Sequence, residues 1–271
     1  MESMRNEAYA YLYEPAKTPG EAAERLVALM KVLRAKCPWD SVQTHETLRR
    51  CMIEEAYEVV DAIERDDTEN LREELGDVAL QVVMHAELAD EEKAFDFTDL
   101  VNEECEKMIR RHPHIFSDVD AKTVDKVLQK WENIKVREHG ITSQTERLRG
   151  VPKALPALIR SEKIQKRAAE VGFEWESAED ALRKVSEEVE EFREAMAEAD
   201  PANVQEELGD LLFSVVNASR FAGVDPEEAL HQAAVKFTER FAKVESLAAD
   251  RGRCLRDLSK AEMAALWDEI K

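Results

Sequence analysis

The sequence predicts an all-α fold made of two homologous helical bundles, and three observations support that prediction. Glycine and proline each occur only 8 times in 271 residues, about 3% apiece against a typical usage of about 7% and 5%. The chain therefore has few of the residues that form the turns of a β-sandwich or barrel. Aromatic residues make up 6% of the chain and hydrophobic residues 44%, which is typical of helices packed through aliphatic side chains. A pattern of acids and tryptophans also occurs twice in the same order, which indicates two copies of one unit.

The repeat is defined by two acidic motifs and by the tryptophans. Residues 54–58 (EEAYE) are matched 133 residues later by residues 187–191 (EEVEE). Residues 73–77 and 206–210 both read EELGD, again 133 residues apart. The four tryptophans form corresponding pairs, Trp39 with Trp175 and Trp131 with Trp267.

The repeat divides the chain into four segments. Residues 1–20 form an extension outside the repeat, and residues 21–140 form the first helical domain. Residues 141–153 are predicted to be a linker, because Gly150 and Pro152 interrupt the apolar periodicity there. Residues 154–271 form the second domain.

Helix boundaries follow from apolar periodicity and from start signals. Asp200-Pro201 and Asp225-Pro226 each combine an N-cap acid with proline at the first helical position, and Asp67 is the equivalent cap in the first domain. The helices are predicted over residues 22–36, 45–66, 68–92, 96–111 and 123–138 in the first domain, and over 155–170, 177–199, 201–222, 226–250 and 257–270 in the second.

The overall charge narrows the range of partners. The formal net charge is −21, and a field of that sign disfavours nucleic-acid backbones and anionic membranes as partners. The 4 cysteines contain no CxxC pair, which argues against a disulfide framework or a zinc site. The N-terminus lacks the apolar core of a signal peptide, and no stretch has the length and apolarity of a membrane-spanning helix. We therefore expect a cytoplasmic protein.

Helical geometry predicts that the acids converge. Residues three apart lie on one face of a helix, so Glu188 and Glu191 form one pair and Glu207 and Asp210 form another. The helical segments on either side of the turn at Asp200 are nearly equal in length, so an antiparallel pair of helices would bring both acid pairs to one level. The corresponding acids of the first domain, with the same spacing, are Glu55, Glu58, Glu74 and Asp77.

Four converging carboxylates repel one another and need protonation, basic side chains or a divalent cation to neutralise them. Mg²⁺ or Mn²⁺ suits an all-oxygen site. The alternative interpretation of any single Glu-Glu pair is a solvated helix face, but the repeat in both domains disfavours it. A mid-helix glycine costs about 1 kcal/mol relative to alanine, and close helix approach would account for Gly76 and Gly209.

Basic residues near the second acid cluster could hold a polyphosphate. Lys184 lies one turn before Glu188, whereas the first domain has Cys51 at the matching position. Ordinary ion pairing within helices remains an alternative for each basic residue, and core packing is the alternative to base stacking for Trp267. The other candidate cations are Lys163, Lys166 and Arg167 on one helix and Lys236 and Arg240 on another.

From about residue 22 to the C-terminus, the sequence resembles the two-domain form of the MazG family of nucleoside triphosphate pyrophosphohydrolases. The motifs that carry the resemblance are residues 37–40 (CPWD), the paired acids in both domains, residues 111–114 (RHPH), residues 163–167 (KIQKR) and residues 236–240 (KFTER). The resemblance implies a homodimer of all-α bundles and Mg²⁺-dependent hydrolysis of a nucleoside triphosphate to the monophosphate and pyrophosphate. Mn²⁺ is expected to be able to substitute for Mg²⁺ in this reaction.

The resemblance also assigns roles to residues of the second domain. Glu188, Glu191, Glu207 and Asp210 are implied to bind metal and to form the catalytic set together with Glu187. The first-domain acids match the metal motif equally well, although Cys51 leaves that site short of a cation. The implied nucleotide site comprises Lys184, Glu187, Glu206, Lys236, Arg240 and Trp267, and the basic helix adds Lys163, Lys166 and Arg167.

Direct attack by water fits these residues, because the sequence has neither a Walker loop nor a nucleophile elbow. Glu187 is the hypothetical general base. Three alternatives remain open. A narrow-substrate enzyme of the dUTP or phosphoribosyl-ATP type shares the metal motif. A di-iron bundle needs two ExxH pairs, and only residues 228–231 supply one. A non-catalytic scaffold would carry its acids as surface residues.

Overall fold

The computed structural model describes residues 6–117, 142–198 and 200–270, together with positions 123, 126, 127, 131, 134, 137, 138 and 140. The chain divides into two compact units between residues 134 and 135. Every regular element in the described part of the chain is helical, in agreement with the predicted all-α class. None of the described helices is long and apolar enough to cross a membrane.

The N-terminal unit is built on three long helices and one somewhat shorter helix. A short 3₁₀ turn occupies Glu7–Tyr9, and a second one occupies Asp40–Val42. The predicted helix over residues 123–138 lies largely outside the described residues. The helices are α1 (Ala10–Tyr13), α2 (Pro19–Lys36), α3 (Arg49–Glu64), α4 (Thr68–Glu91), α5 (Phe97–Arg111) and α6 (Pro113–Phe116).

The core of the N-terminal unit lies where α2 and the start of α3 meet α4. Its buried members are Met30, Leu48, Val83, Met84 and Leu88. Partly buried apolar side chains, among them Cys51 and Leu80, pack against this cluster. Helix α3 begins at residue 49 rather than at the predicted residue 45. Thr44 and Thr47 hydrogen-bond to each other's backbone N–H groups, and such local bonds compete with helix formation.

The described part of the C-terminal unit contains a long helical hairpin and four flanking helices. Its first short helix falls inside the predicted linker, and Arg147 on that helix forms an ion pair with Glu170. Val151, also in the predicted linker, is buried. The helices are α7 (Gln144–Arg149), α8 (Ala157–Ala169), α9 (Ala178–Glu198), α10 (Pro201–Ala222), α11 (Pro226–Asp250) and α12 (Lys260–Glu269).

The predicted helix caps are confirmed. The Asp200 side chain accepts a hydrogen bond from the backbone N–H of Ala202 at the start of α10. Asp225 accepts from the N–H groups of two residues at the start of α11, and Asp67 caps α4 in the N-terminal unit. Because these caps satisfy otherwise unpaired N–H groups, they fix where each helix begins. They therefore fix the register of the acids that follow.

Candidate active site

The hairpin of α9 and α10 brings together acids from both helices. Oxygen atoms of Glu188, Glu207 and Asp210 all lie within 4.8 Å of one another. Glu191, the fourth predicted member, is about half exposed and lies outside this triad. Three of the four acids therefore converge, as helical geometry predicts from the separation of the two acid pairs around the cap at Asp200.

A single lysine neutralises part of this negative charge. Lys184 Nζ lies 2.5 Å from Glu188 Oε1, 3.7 Å from a carboxylate oxygen of Glu191 and 3.8 Å from one of Glu187. The hydrogen bond to Glu188 raises the pKa of Lys184, with the neighbouring carboxylates adding to the effect. Burial, followed by the charges of Glu191 and Glu188, raises the pKa of Glu207. The cluster therefore still favours additional positive charge.

A cavity of about 600 Å³ opens beside the acids within the C-terminal unit. Lys184, Glu188 and Asp210 are among the residues that line it. The rest of the wall is mainly apolar and aromatic, as in pockets that bind small organic ligands. The other lining residues are Leu148, Ile164, Gln165, Ala168, Gly172, Phe173, Glu174, Trp175, Phe213, Ser214 and Asn217.

The wall of this cavity contains residues that the sequence motifs do not mark as site residues. Trp175 and Phe213 supply aromatic rings, and Gln165 and Asn217 supply carboxamides. A signal for two of them was present, because Phe213 and Asn217 lie three and seven residues after Asp210 and so share its face of α10. The pairing of Trp175 with Trp39 marked a repeated position without indicating a cavity.

The N-terminal unit repeats the acid cluster with a different membership. Oxygen atoms of Glu55, Glu58 and Glu74 lie within 4.8 Å of one another, whereas Asp77 lies outside this triad. Burial, with the charges of Asp77 and Glu58 adding to it, raises the pKa of Glu55. Burial, with the charges of Glu58 and Asp77 adding to it, also raises the pKa of Glu74. Additional positive charge would therefore stabilise this second cluster as well.

The surroundings of the two clusters differ. Cys51, Leu80 and Met84 occupy the positions that Lys184, Phe213 and Asn217 occupy in the C-terminal unit, each 133 residues earlier. These three residues belong to the apolar core of the N-terminal unit or pack against it. A cavity of about 540 Å³ in this unit lies instead among α2, α4 and α5, and its lining includes none of the clustered acids.

Comparison with known proteins identifies the family. A model of the MazG nucleotide pyrophosphohydrolase domain matches the chain twice, over residues 43–116 and 176–244. The chain belongs to the MazG family. It is 43% identical over 253 residues to the nucleoside triphosphate pyrophosphohydrolase of Escherichia coli strain K12, an alignment that covers 92% of this chain and 96% of that protein.

Two proteins of Thermotoga maritima are also similar to this MazG chain. The first is a nucleoside triphosphate pyrophosphohydrolase/pyrophosphatase MazG, 42% identical over 257 residues, with 94% of this chain and 98% of that protein covered. The second is the crystal structure of a mazG-related protein, 28% identical, with a TM-score of 0.37 and coverage of 41% of this chain and 97% of that one.

Three predicted nucleotide ligands of this MazG protein lie on α11 and α12, and the cavity lining does not include them. Lys236 is exposed and Arg240 is half-buried on α11. The Trp267 ring lies 5.3 Å from the Phe237 ring and packs against the buried cluster around Val244. This placement matches the alternative of core packing for Trp267, and the nucleotide roles of all three residues stay predictions.

The basic residues of α8 are not among the cavity-lining residues either. Lys163 and Lys166 are exposed, whereas their neighbours Ile164 and Gln165 line the cavity. Arg167 donates a hydrogen bond to the backbone carbonyl of Arg147 and so connects α8 to α7. Glu206 is exposed on α10 and adds to the negative field at Glu207.

The prediction that close helix approach explains the two mid-helix glycines is wrong for these units. A Cβ atom added at Gly76 or at Gly209 would meet nothing within 4 Å. Each glycine directly precedes a predicted metal ligand, Asp77 or Asp210. In both units, open space rather than a neighbouring helix lies beside the glycine.

Proposed function

We propose that the C-terminal unit carries the activity of this chain, the hydrolysis of nucleoside triphosphates to the monophosphate and pyrophosphate, in the service of nucleotide-pool house-cleaning. The observation that carries the assignment is the cavity that opens directly beside Glu188, Asp210 and Lys184. Its aromatic wall suits a nucleobase, and its charged end suits a polyphosphate held together with a cation. The same combination is absent from the described acid cluster of the N-terminal unit.

The acid residues fit a divalent cation such as Mg²⁺, with Mn²⁺ as a substitute. Among the described residues, Glu188 Oε2 is buried and has no hydrogen-bond partner, so a buried oxygen is available as a ligand. Glu207 and Asp210 supply further oxygens, and Mg²⁺ prefers carboxylates and phosphate oxygens. Glu191 is the fourth proposed ligand. The bound ion would neutralise the negative charge that builds on the phosphates during the reaction.

Within this proposal, the residues of the chain bind and orient the substrate. Trp175 and Phe213 pack against the base, and Lys184 exchanges its carboxylate partners for phosphate oxygens. Glu187 lies on the same turn as Lys184 and is about half exposed, so water can reach it. As the general base, Glu187 accepts the proton of the attacking water. Glu187→Gln should abolish hydrolysis while leaving Mn²⁺ binding intact, and an unaffected rate would exclude this role.

The N-terminal unit is proposed to bind metal through Glu55, Glu58 and Glu74, with Asp77 as the fourth proposed ligand, without hydrolysing nucleotides. Its cluster matches the metal motif, but the neighbouring positions hold apolar core residues instead of a lysine and a cavity. In this unit a bound cation would relieve the repulsion between carboxylates and stabilise the α3–α4 hairpin.

We also propose that the chain forms a homodimer through α11. Leu230, Phe237 and Phe241 on this helix are exposed in the single chain, and contiguous exposed apolar side chains mark an interaction surface. Light scattering should give twice the chain mass, and Phe241→Glu should lower it; a monomeric wild type would contradict the proposal.

The test of the proposed activity is product analysis on a panel of NTPs and dNTPs, with Mg²⁺ and with EDTA. Metal-dependent release of pyrophosphate and the monophosphate from several nucleotides is the expected result. Orthophosphate in place of pyrophosphate would overturn the assignment of the cleaved bond. Activity on dUTP or phosphoribosyl-ATP alone would establish the narrow-substrate alternative, and no release from any nucleotide would leave the scaffold interpretation.

A further inference from the structure

Gln165 is a buried polar residue with only half of its amide group satisfied. It lies on α8, lines the cavity beside the acids, and is 5% exposed. Its Nε2 donates a hydrogen bond of 2.8 Å to the backbone carbonyl oxygen of Phe213 on α10. Because only the NH₂ end of an amide can donate to a carbonyl, this bond fixes which end of the side chain is the oxygen. In the described part of the chain, that oxygen, Oε1, has no hydrogen-bond partner.

A buried acceptor without a donor is costly, and most such groups in proteins are paired. The cavity wall holds a second one, because Asn217 Oδ1 is also buried and without a partner among the described residues. Asn217 lies one turn beyond Phe213 on α10, the helix to which Gln165 is bonded. The two residues that carry these unsatisfied acceptor oxygens therefore both line one cavity, whose remaining wall is largely apolar.

A ligand that enters this cavity can supply the missing donors. We propose that Gln165 Oε1, supported by Asn217, accepts an N–H from the pairing edge of the nucleobase and so selects bases that present a donor there. The proposal rests on the proposed function, since it assumes that the cavity holds the base of a nucleotide. Adenine and cytosine offer an amino group on this edge, and guanine and uracil offer a ring N–H.

This arrangement predicts that the site binds all the natural bases but discriminates against base analogues that lack the donor. Every natural base brings at least one donor, so the acceptors accommodate all of them. A base whose pairing-edge N–H is missing or methylated leaves Gln165 Oε1 unpaired beside the bound base. A site built to hydrogen-bond a group discriminates against the analogue that lacks it, because its own polar atom is then stranded.

The test compares ligands that differ only in the donor. Calorimetric titration with AMP and with purine riboside 5′-monophosphate, which lacks the amino group, measures binding without hydrolysis. We expect the analogue to bind about tenfold to a hundredfold more weakly, the range for stranding one buried acceptor. The same ratio should appear in kcat/KM for the two triphosphates, and for UTP against N3-methyl-UTP.

Variants assign this discrimination to one atom. Gln165→Met keeps the length of the side chain but removes the acceptor, and the AMP-to-analogue ratio should fall to about one. Gln81→Met is the matched control, because Gln81 in the N-terminal unit also carries a buried Oε1 without a partner in the described part of the chain. This control should leave the ratio unchanged. If Gln165→Met fails to fold, wild-type ratios of about one for both pairs of ligands still overturn the inference.

The outcomes separate this inference from the proposed function. Pyrophosphate release with equal handling of donor-bearing and donor-lacking bases would overturn the role of Gln165 and leave the activity intact. Discrimination between AMP and its analogue without any pyrophosphate release would support the base site and overturn the activity. Failure of wild type to bind AMP, or a ratio that survives in Gln165→Met, would also overturn the inference.

Discussion

The two acid clusters are nearly equivalent, but the residues around them are not. Each unit brings three carboxylates within 4.8 Å of one another from two consecutive helices. One turn before the first glutamate of each cluster, the C-terminal unit has Lys184 and the N-terminal unit has Cys51. On the following helix, Phe213 lines a cavity in one unit, and the matching Leu80 packs against the core in the other.

This difference shows that the convergence of the acids and the presence of a cavity beside them depend on different residues. The carboxylates converge because the spacing along a capped hairpin requires it, and the same spacing occurs in both units. The cavity depends on whether a few neighbouring positions carry large apolar side chains or polar and aromatic ones. A unit of the repeat can therefore keep the acid cluster without the cavity beside it.

The largest expected effect comes from removing one carboxylate in each unit. Glu207→Ala should lower kcat/KM for pyrophosphate release by about 10³-fold, the scale expected when a main source of charge stabilisation is lost. Glu74→Ala removes the equivalent acid of the N-terminal unit and should leave kcat/KM within about twofold. Steady-state assays at saturating Mg²⁺ measure both. Equal losses in the two variants would mean that both clusters are catalytic.

The second prediction tests whether position 84 lies in a packed core while the matching position 217 lies beside a cavity. Met84→Asn places in the N-terminal unit the residue found at position 217 of the C-terminal unit. Because Met84 is buried in an apolar cluster, we expect a loss of about 3 kcal/mol in the free energy of unfolding, from lost packing and an unpaired amide. Urea denaturation measures this quantity.

The reciprocal change is the control for that experiment. Asn217→Met faces a cavity rather than a packed core, so it should leave the free energy of unfolding nearly unchanged. It should instead raise KM, because the added apolar volume occupies space proposed for the base. A large loss of stability in Asn217→Met would show that the cavity is part of the packed core.

The third prediction concerns the lysine that one cluster has and the other lacks. Lys184→Met should lower kcat/KM by about twentyfold, since a hydrogen bond to a charged group contributes about 1.5–3 kcal/mol. In the absence of nucleotide it should bind Mn²⁺ more tightly, because the ammonium group that competes for Glu188 is gone. Titration calorimetry with Mn²⁺ and a steady-state assay should therefore change in opposite directions.

Introducing the lysine into the other unit sharpens the comparison. Cys51→Lys supplies the missing cation beside Glu55, but Leu80 and Met84 still pack against the core there. We expect no added hydrolysis in a Glu207→Ala background. A gain of activity would show that charge alone, rather than the cavity, distinguishes the two sites.

The sequence predicted the helices and the convergence of the acids, because both depend on short-range spacing. The caps at Asp200 and Asp225 lie where local side-chain chemistry places them. The cavity was not predictable in this way, since Gln165 and Trp175 reach it from segments with no fixed spacing to the acids. The positions of Lys236 and Trp267 likewise depend on how helices pack, which periodicity within one helix does not specify.

The smallest expected effect concerns the glycines that precede Asp77 and Asp210. Gly209→Ala and Gly76→Ala should each stabilise the chain by about 0.5–1 kcal/mol, because alanine favours the helix and the added Cβ meets open space in both units. Thermal unfolding without metal or nucleotide measures the gain. If the open space at Gly209 serves the substrate, only Gly209→Ala will also raise KM, and Gly76→Ala will not. Unchanged kinetics in both variants would show that the space beside Gly209 is not used, and would leave both glycines without a role in nucleotide binding.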